Sequence, residues 1–145
     1  MAKYFTLKEL CDSPTAKARG YDNFPTFTVA AHLEELTKKI LDPLREAWGS
    51  AIRVTSGYRC KQLNTAIGGA LRSAHLEGYA ADMQPYNGKT EEFIAFAKQW
   101  CEDNHIKFDQ FIRETTKDKR CVWLHIGLYG PGGTQRKQYK DLVKP

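Results

Sequence analysis

The amino-acid sequence points to an α+β fold, a small antiparallel sheet with helices packed on one of its faces. Three observations carry this. Apolar residues recur at three- and four-residue steps through Val29, Leu33, Leu36, Ile40, Leu44 and Trp48, the period of an amphipathic helix. A second helical face, Phe93, Phe96, Ala97 and Trp100, follows the start signal Thr90-Glu91-Glu92. Two strand-like runs, Phe108–Glu114 and Cys121–Leu128, are joined by the six polar residues Thr115–Arg120, a connection that suits a hairpin.

In chain order, Thr6-Leu7-Lys8-Glu9 has capping-box spacing, so a short helix is expected from Leu7, with Ser13-Pro14 as its stop. Thr15–Pro25 has loop chemistry, with Gly20 and Asn23 as turn formers. The long helix runs Thr28–Trp48 and ends at Gly49, and Pro43, lacking a backbone donor, should kink it. His32 lies beside its apolar stripe and reads as a structural or surface residue rather than a ligand. Ala51–Thr55 is β-branched and short, a strand that delivers Ser56-Gly57-Tyr58-Arg59 to its end. Lys61–Ile67 reads as a short helix, Gly68-Gly69 as a turn and Ala80–Gln84 as a strand ended by Pro85. Thr90 is placed to cap a helix that reaches Asn104. Beyond Gly130-Pro131-Gly132-Gly133 the tail is polar and basic, with little to bury. No internal repeat is visible, and residues 1–145 are expected to form one domain.

With 145 residues the chain is long enough for a core without covalent staples, and 41% hydrophobic with 27% charged residues is an ordinary globular balance. A net charge of +5 and a pI of about 9.0 favour an anionic partner such as cell wall, but the basic residues form no long run and no stretch approaches transmembrane length, so neither nucleic acid nor membrane insertion is expected. Four cysteines (Cys11, Cys60, Cys101, Cys121) without a Cys-x-x-Cys pair argue against a zinc finger or a disulfide framework and read as free thiols. Met1-Ala2-Lys3-Tyr4-Phe5 lacks the apolar stretch of a signal peptide. Synthesis in the cytoplasm is therefore expected, with release by lysis or delivery by a particle. No feature sets an oligomeric state.

The chemistry concentrates in Ser73-Ala74-His75-Leu76-Glu77-Gly78-Tyr79-Ala80-Ala81-Asp82, where small residues surround an imidazole and a carboxylate. Trp123-Leu124-His125-Ile126 supplies a second imidazole on an apolar run. His75, Asp82 and His125 make a three-ligand set suited to Zn²⁺ with a fourth position open, the arrangement that separates catalytic from structural zinc. On composition alone, His75 reads as a surface loop residue and His125 as a hydrogen-bonded core histidine.

The order of fragments decides between these readings. Ser56-Gly57-Tyr58-Arg59, Asn64, Gly68-Gly69, Ser73-x-His75-x-x-Gly78-x-Ala80-x-Asp82 and Trp123-x-His125 together resemble the zinc D-Ala-D-Ala carboxypeptidase/endopeptidase family, peptidases of the M15 type, and within it the small phage-type enzymes related to lysin endopeptidases. The likeness runs from about Ser56 to Leu128, and Leu41–Arg45 also looks familial. It implies a hedgehog/DD-peptidase-like fold, Zn²⁺ on His75, Asp82 and His125, a peptidoglycan peptide as substrate, Arg59 polarising the scissile carbonyl and Ser73 bonding the substrate. Trp123 is placed to wall the cleft, although packing is its plainer role.

Zinc hydrolysis also needs a proton acceptor. Many relatives carry a carboxylate three residues before the last histidine, and here that position is Val122. Glu114 is the expected replacement. If the hairpin pairs Glu114 with Cys121, Ile112 with Trp123 and Gln110 with His125, Glu114 shares the face of His125, and a slip of one residue turns it away. Glu77 ranks below it, and Cys121 is a remote candidate for a fourth ligand. Val122 also supports a different class, a zinc-containing binding module without turnover. A structural wall-adhering protein is the third.

Overall fold

The computed structural model describes residues 3–144. Its first elements follow from their caps. Helix α1 (Leu7–Leu10) begins where Thr6 Oγ1 accepts from the Glu9 amide at 3.1 Å. Ser13-Pro14 opens a further helix, α2 (Pro14–Arg19), which replaces the loop expected there. Ser13 Oγ accepts from the Ala16 amide, and proline fits the first helical position because its missing N–H has no partner to lose.

The long helix is α3 (Phe27–Leu36) and α4 (Asp42–Trp48), joined by one π turn, Thr37–Leu41. The expected irregularity at Pro43 takes this form. A wider turn just upstream relieves the clash between the pyrrolidine ring and the Lys39 carbonyl, and the helix continues. Next come β1 (Ile52–Ser56), α5 (Lys61–Ala66), a 3₁₀ turn at Ala74–Glu77 and β2 (Ala80–Pro85). Helix α6 (Thr90–Asp103) has Lys89, without a side-chain bond, at the cap position assigned above to Thr90. Strands β3 (Gln110–Thr116) and β4 (Val122–Gly127) form the hairpin. The polar tail is also ordered, as β5 (Gln138–Lys144), which pairs parallel to β3.

The sheet order is β1-β2-β4-β3-β5, antiparallel except at its β5 edge. One face carries Ala81, Met83, Leu124 and Ile126, all buried, against α6 and the long helix, with Phe93, Ala97, Leu33, Leu36, Ile40 and Leu44 in the same core. Each of the larger ones (Leu, Ile, Met and Phe) contributes about 1.5–3 kcal/mol on burial, and the alanines less. The opposite face carries the polar residues of interest, because side chains alternate along each strand. His32 is structural as expected, stacked on Tyr79 with ring centroids 4.1 Å apart and its Nδ1 2.6 Å from the Glu77 carbonyl.

Candidate metal centre and its cleft

Asp82 on β2 and His125 on β4 are direct cross-strand partners, so their side chains rise side by side from the polar face. His75 reaches them from the 3₁₀ turn, which Gly78 closes at φ 77°, a conformation that favours glycine. Asp82 Oδ1 lies 3.2 Å from His75 Nε2 and 2.9 Å from His125 Nδ1, and the three ligand atoms fall within 4.8 Å of one another. All three residues are buried.

The chemistry of this donor set fits a cation. His75 Nδ1 is 2.6 Å from the Gly57 carbonyl, which only accepts, so that nitrogen carries the hydrogen. Burial pushes the His75 pKa down, outweighing the pull of Asp82, and favours the neutral ring. Its Nε2 then turns a lone pair toward the Asp82 carboxylate. Burial disfavours ionisation of Asp82, and positive charge at the two imidazole positions is what holds its pKa far below the usual range; with His75 neutral, a bound cation would supply that charge. Two lone pairs directed at each other call for a positive charge between them. Two atoms each ~2.1 Å from one tetrahedral zinc stand about 3.4 Å apart, close to the separations here.

The Gly57–Arg59 loop is built to hold His75 and Arg59. A bulge at Thr55 shifts β1 so that Ser56, not Thr55, pairs with Asp82. At Gly57 a Cβ would sit 2.1 Å from the Leu10 carbonyl oxygen, so only glycine fits. Asn23, read above as a turn former, fastens the same loop: its amide nitrogen donates to the Cys11 and Tyr58 carbonyls and its oxygen accepts from the Cys60 amide at 2.7 Å. Arg59 is buried, its Nε has no hydrogen-bond partner among the described residues, and its Nη2 is 3.5 Å from Ser73 Oγ. Burial lowers its pKa, while Asp82 and Glu114 pull the other way.

Glu114 stands on the same face as Asp82 and His125, with Oε1 4.0 Å from His125 Nδ1. The hairpin register differs from the expected one by two residues, pairing Glu114 with Trp123, Ile112 with His125 and Gln110 with Gly127. A shift of two preserves the face, so the error leaves Glu114 where parity put it. Burial raises the Glu114 pKa, and the charge of Asp82 raises it further. Val122, three residues before His125, falls on the opposite face and packs against the core.

These residues open into a cleft of about 500 Å³ lined by Arg59, Ser73, His75, Asp82, Glu114 and His125. A second hollow of about 540 Å³, around Phe5, Phe24 and Phe27, is apolar and holds no acid–base set.

A family model described as Peptidase M15 matches residues 3–115. The chain belongs to this peptidase family. Arg59, Ser73, His75, Asp82 and Glu114 lie inside the matched stretch, whereas His125 and β5 lie beyond it. Among curated proteins no match is found.

Of the residues singled out in the sequence, the peptidase brings Arg59, Ser73, His75, Asp82, Glu114 and His125 to one cleft. Trp123 shares the face of Glu114 by register but is not among the lining residues, and its Nε1 is buried without a partner among the described residues. Cys121 is exposed ahead of β4 and lies outside the metal-ligating group, and Glu77 borders a neighbouring hollow rather than the cleft. All four cysteines are free. Sequence reasoning missed Arg72, Lys140 and Lys144 as lining residues. It also missed Asp109, whose carboxylate receives the Arg136 guanidinium at 2.8 and 2.9 Å.

Proposed function

We propose that this peptidase is zinc-dependent and hydrolyses peptide bonds in peptidoglycan stem peptides or cross-links, as a D-Ala-D-Ala carboxypeptidase or endopeptidase. The observation that carries this reading is the meeting, in one cleft, of the His75–Asp82–His125 set, a buried carboxyl at Glu114 and the unpartnered Nε of Arg59. When bound, zinc supplies Lewis-acid polarisation of water and of the scissile carbonyl.

The remaining work falls to the chain. Glu114 takes the proton of the attacking water and passes it to the leaving amine; a carboxyl pKa raised by burial above its ordinary value suits both transfers. Arg59 meets the carbonyl oxygen, or a terminal carboxylate, with a planar fork whose charge does not depend on pH. Burial makes that contact stronger than it would be in water. Ser73 Oγ accepts from the His75 amide at 3.2 Å and from Arg59, which leaves its own hydrogen for a substrate carbonyl.

Elemental analysis and wall digestion, with released peptides identified by mass, test this reading. About one zinc per chain together with cleaved stem peptides is expected. Zinc without cleavage supports the binding-module reading instead, and absence of tight zinc binding overturns the ligand set.

A further inference from the structure

The chemistry above uses one wall of the cleft, and the opposite wall is β5. Its parallel register sets Lys140 beside Ile112, Leu142 beside Glu114 and Lys144 beside Thr116. Partners in a ladder share a face, so Lys140, Leu142 and Lys144 rise on the metal-bearing side, and all three line the cleft. The other face of the strand anchors it: Tyr139 packs on Phe108 and Phe111 with centroids 5.3 Å away and donates to Glu102.

The charge of Lys144 reaches Glu114 and pulls its pKa down, but among the described residues the two form no ion pair. Of the cleft's carboxylates, Asp109 is taken by Arg136, and Asp82 is held between two imidazoles. Among the described residues neither Lys140 nor Lys144 forms an ion pair. Leu142, 49% exposed, separates them and offers an apolar contact between two positive charges. This cation–apolar–cation spacing suits the methylenes and carboxylate of an acidic side chain.

We propose that Lys140 and Lys144 form a carboxylate-binding subsite that selects peptides with an anionic side chain a fixed distance from the scissile bond. The subsite deepens the peptidase reading and rests on it. Its distance from the chemistry follows from strand geometry. β5 lies two strand spacings from β4, which bears His125, or about 10 Å. An extended peptide covers that span in about three residues.

The probes are synthetic pentapeptides ending in D-Ala-D-Ala, with glutamate or glutamine three residues before that bond, and C-terminally extended copies of both. Exposed ion pairs are individually weak, so the zinc-loaded protein should prefer the acid over the amide by about threefold to tenfold in kcat/KM, mostly through KM. Salt at about 0.5 M should shrink the preference. Lys140→Ala with Lys144→Ala should bring the acid-to-amide ratio near one, and Lys140→Arg with Lys144→Arg should keep it. A ratio near one in the wild type, or an unchanged ratio in the double alanine variant, overturns the subsite. If the wild type cleaves none of these peptides, the choice of bond fails separately. The subsite is then read by calorimetric binding of the same peptides: a tighter acid, equalised in the alanine variant, upholds it, and equal binding in the wild type overturns it.

Discussion

The two walls of the cleft are built by opposite means. On the loop side, Gly57–Gly78, polar groups are tied down: His75 by the Gly57 carbonyl, Ser73 by the His75 amide, and the Arg59 backbone amide by the His75 carbonyl at 3.1 Å. On the β5 side the lysines rise from an edge strand and form no ion pair among the described residues, although Lys144 acts on Glu114 through its charge, and the strand's other face is packed. The first wall has its geometry set before a substrate arrives, which is what transition-state chemistry requires. The second can adapt, which suits selection more than catalysis.

The largest effects should come from breaking the rigid side. His75→Ala or His125→Ala should each abolish tight zinc binding, measured by elemental analysis; full zinc content in both would show that the ligand set is wrong. Glu114→Gln keeps size and removes the proton acceptor, so turnover should fall about 10²–10⁴-fold with zinc content unchanged. Glu77→Gln should be mild by comparison, and the reverse order would move the base assignment to Glu77. Arg59→Lys keeps charge but loses the planar fork. It should cost about 10–10²-fold in kcat/KM, less than removing an oxyanion donor outright.

Smaller effects test how each wall is held. Asn23→Ala removes three hydrogen bonds behind Arg59 and should lower stability by about 1–3 kcal/mol in chemical denaturation. Activity should fall further than stability alone explains, if preorganisation of this wall matters. On the strand side, Asp109→Asn loosens the Arg136 clamp at the start of β5 and should cost a similar or smaller amount at neutral pH. Arg136 holds the Asp109 pKa below its ordinary value. The clamp's contribution is thus complete above the unfolded value of about 3.9 and is lost as pH falls through the lower folded one. The stability gap between wild type and variant should therefore be constant near neutrality and close below about pH 4.

The rigid wall was largely legible in the sequence, and the adaptable one was not. Period-3.6 stripes, the Thr6 cap and the spacing from Ser73 to Asp82 are local signals, and each element they predict is present. Ser13-Pro14 misled because serine and proline serve a helix start as well as a stop, and only the residues that follow decide. The hairpin register was out by two because a polar connection does not show how many of its residues belong to strands; Thr115 and Thr116 do. Glu114 survived that error through the period of two. Strand β5 left no pattern, since an edge strand with one face on solvent needs few apolar residues. Its pairing with β3 also depends on Lys137 and Gln138 bonding back to Phe108 and Asp109, a long-range fact that no window of sequence contains.

The parallel edge position of β5 has a consequence for how the molecule breathes. A strand bonded on one side only, and by the slanted bonds of a parallel ladder, opens at lower free energy than the central β4, which is bonded on both sides. Amide hydrogens of Gln138–Lys144 should accordingly exchange with solvent well before those of Val122–Gly127. Such an excursion uncovers the outer flank of β3 while His125 and Asp82 remain paired across β4 and β2. The β5 wall can thus detach and re-form, or diverge under selection, without dismantling the His75–Asp82–His125 group.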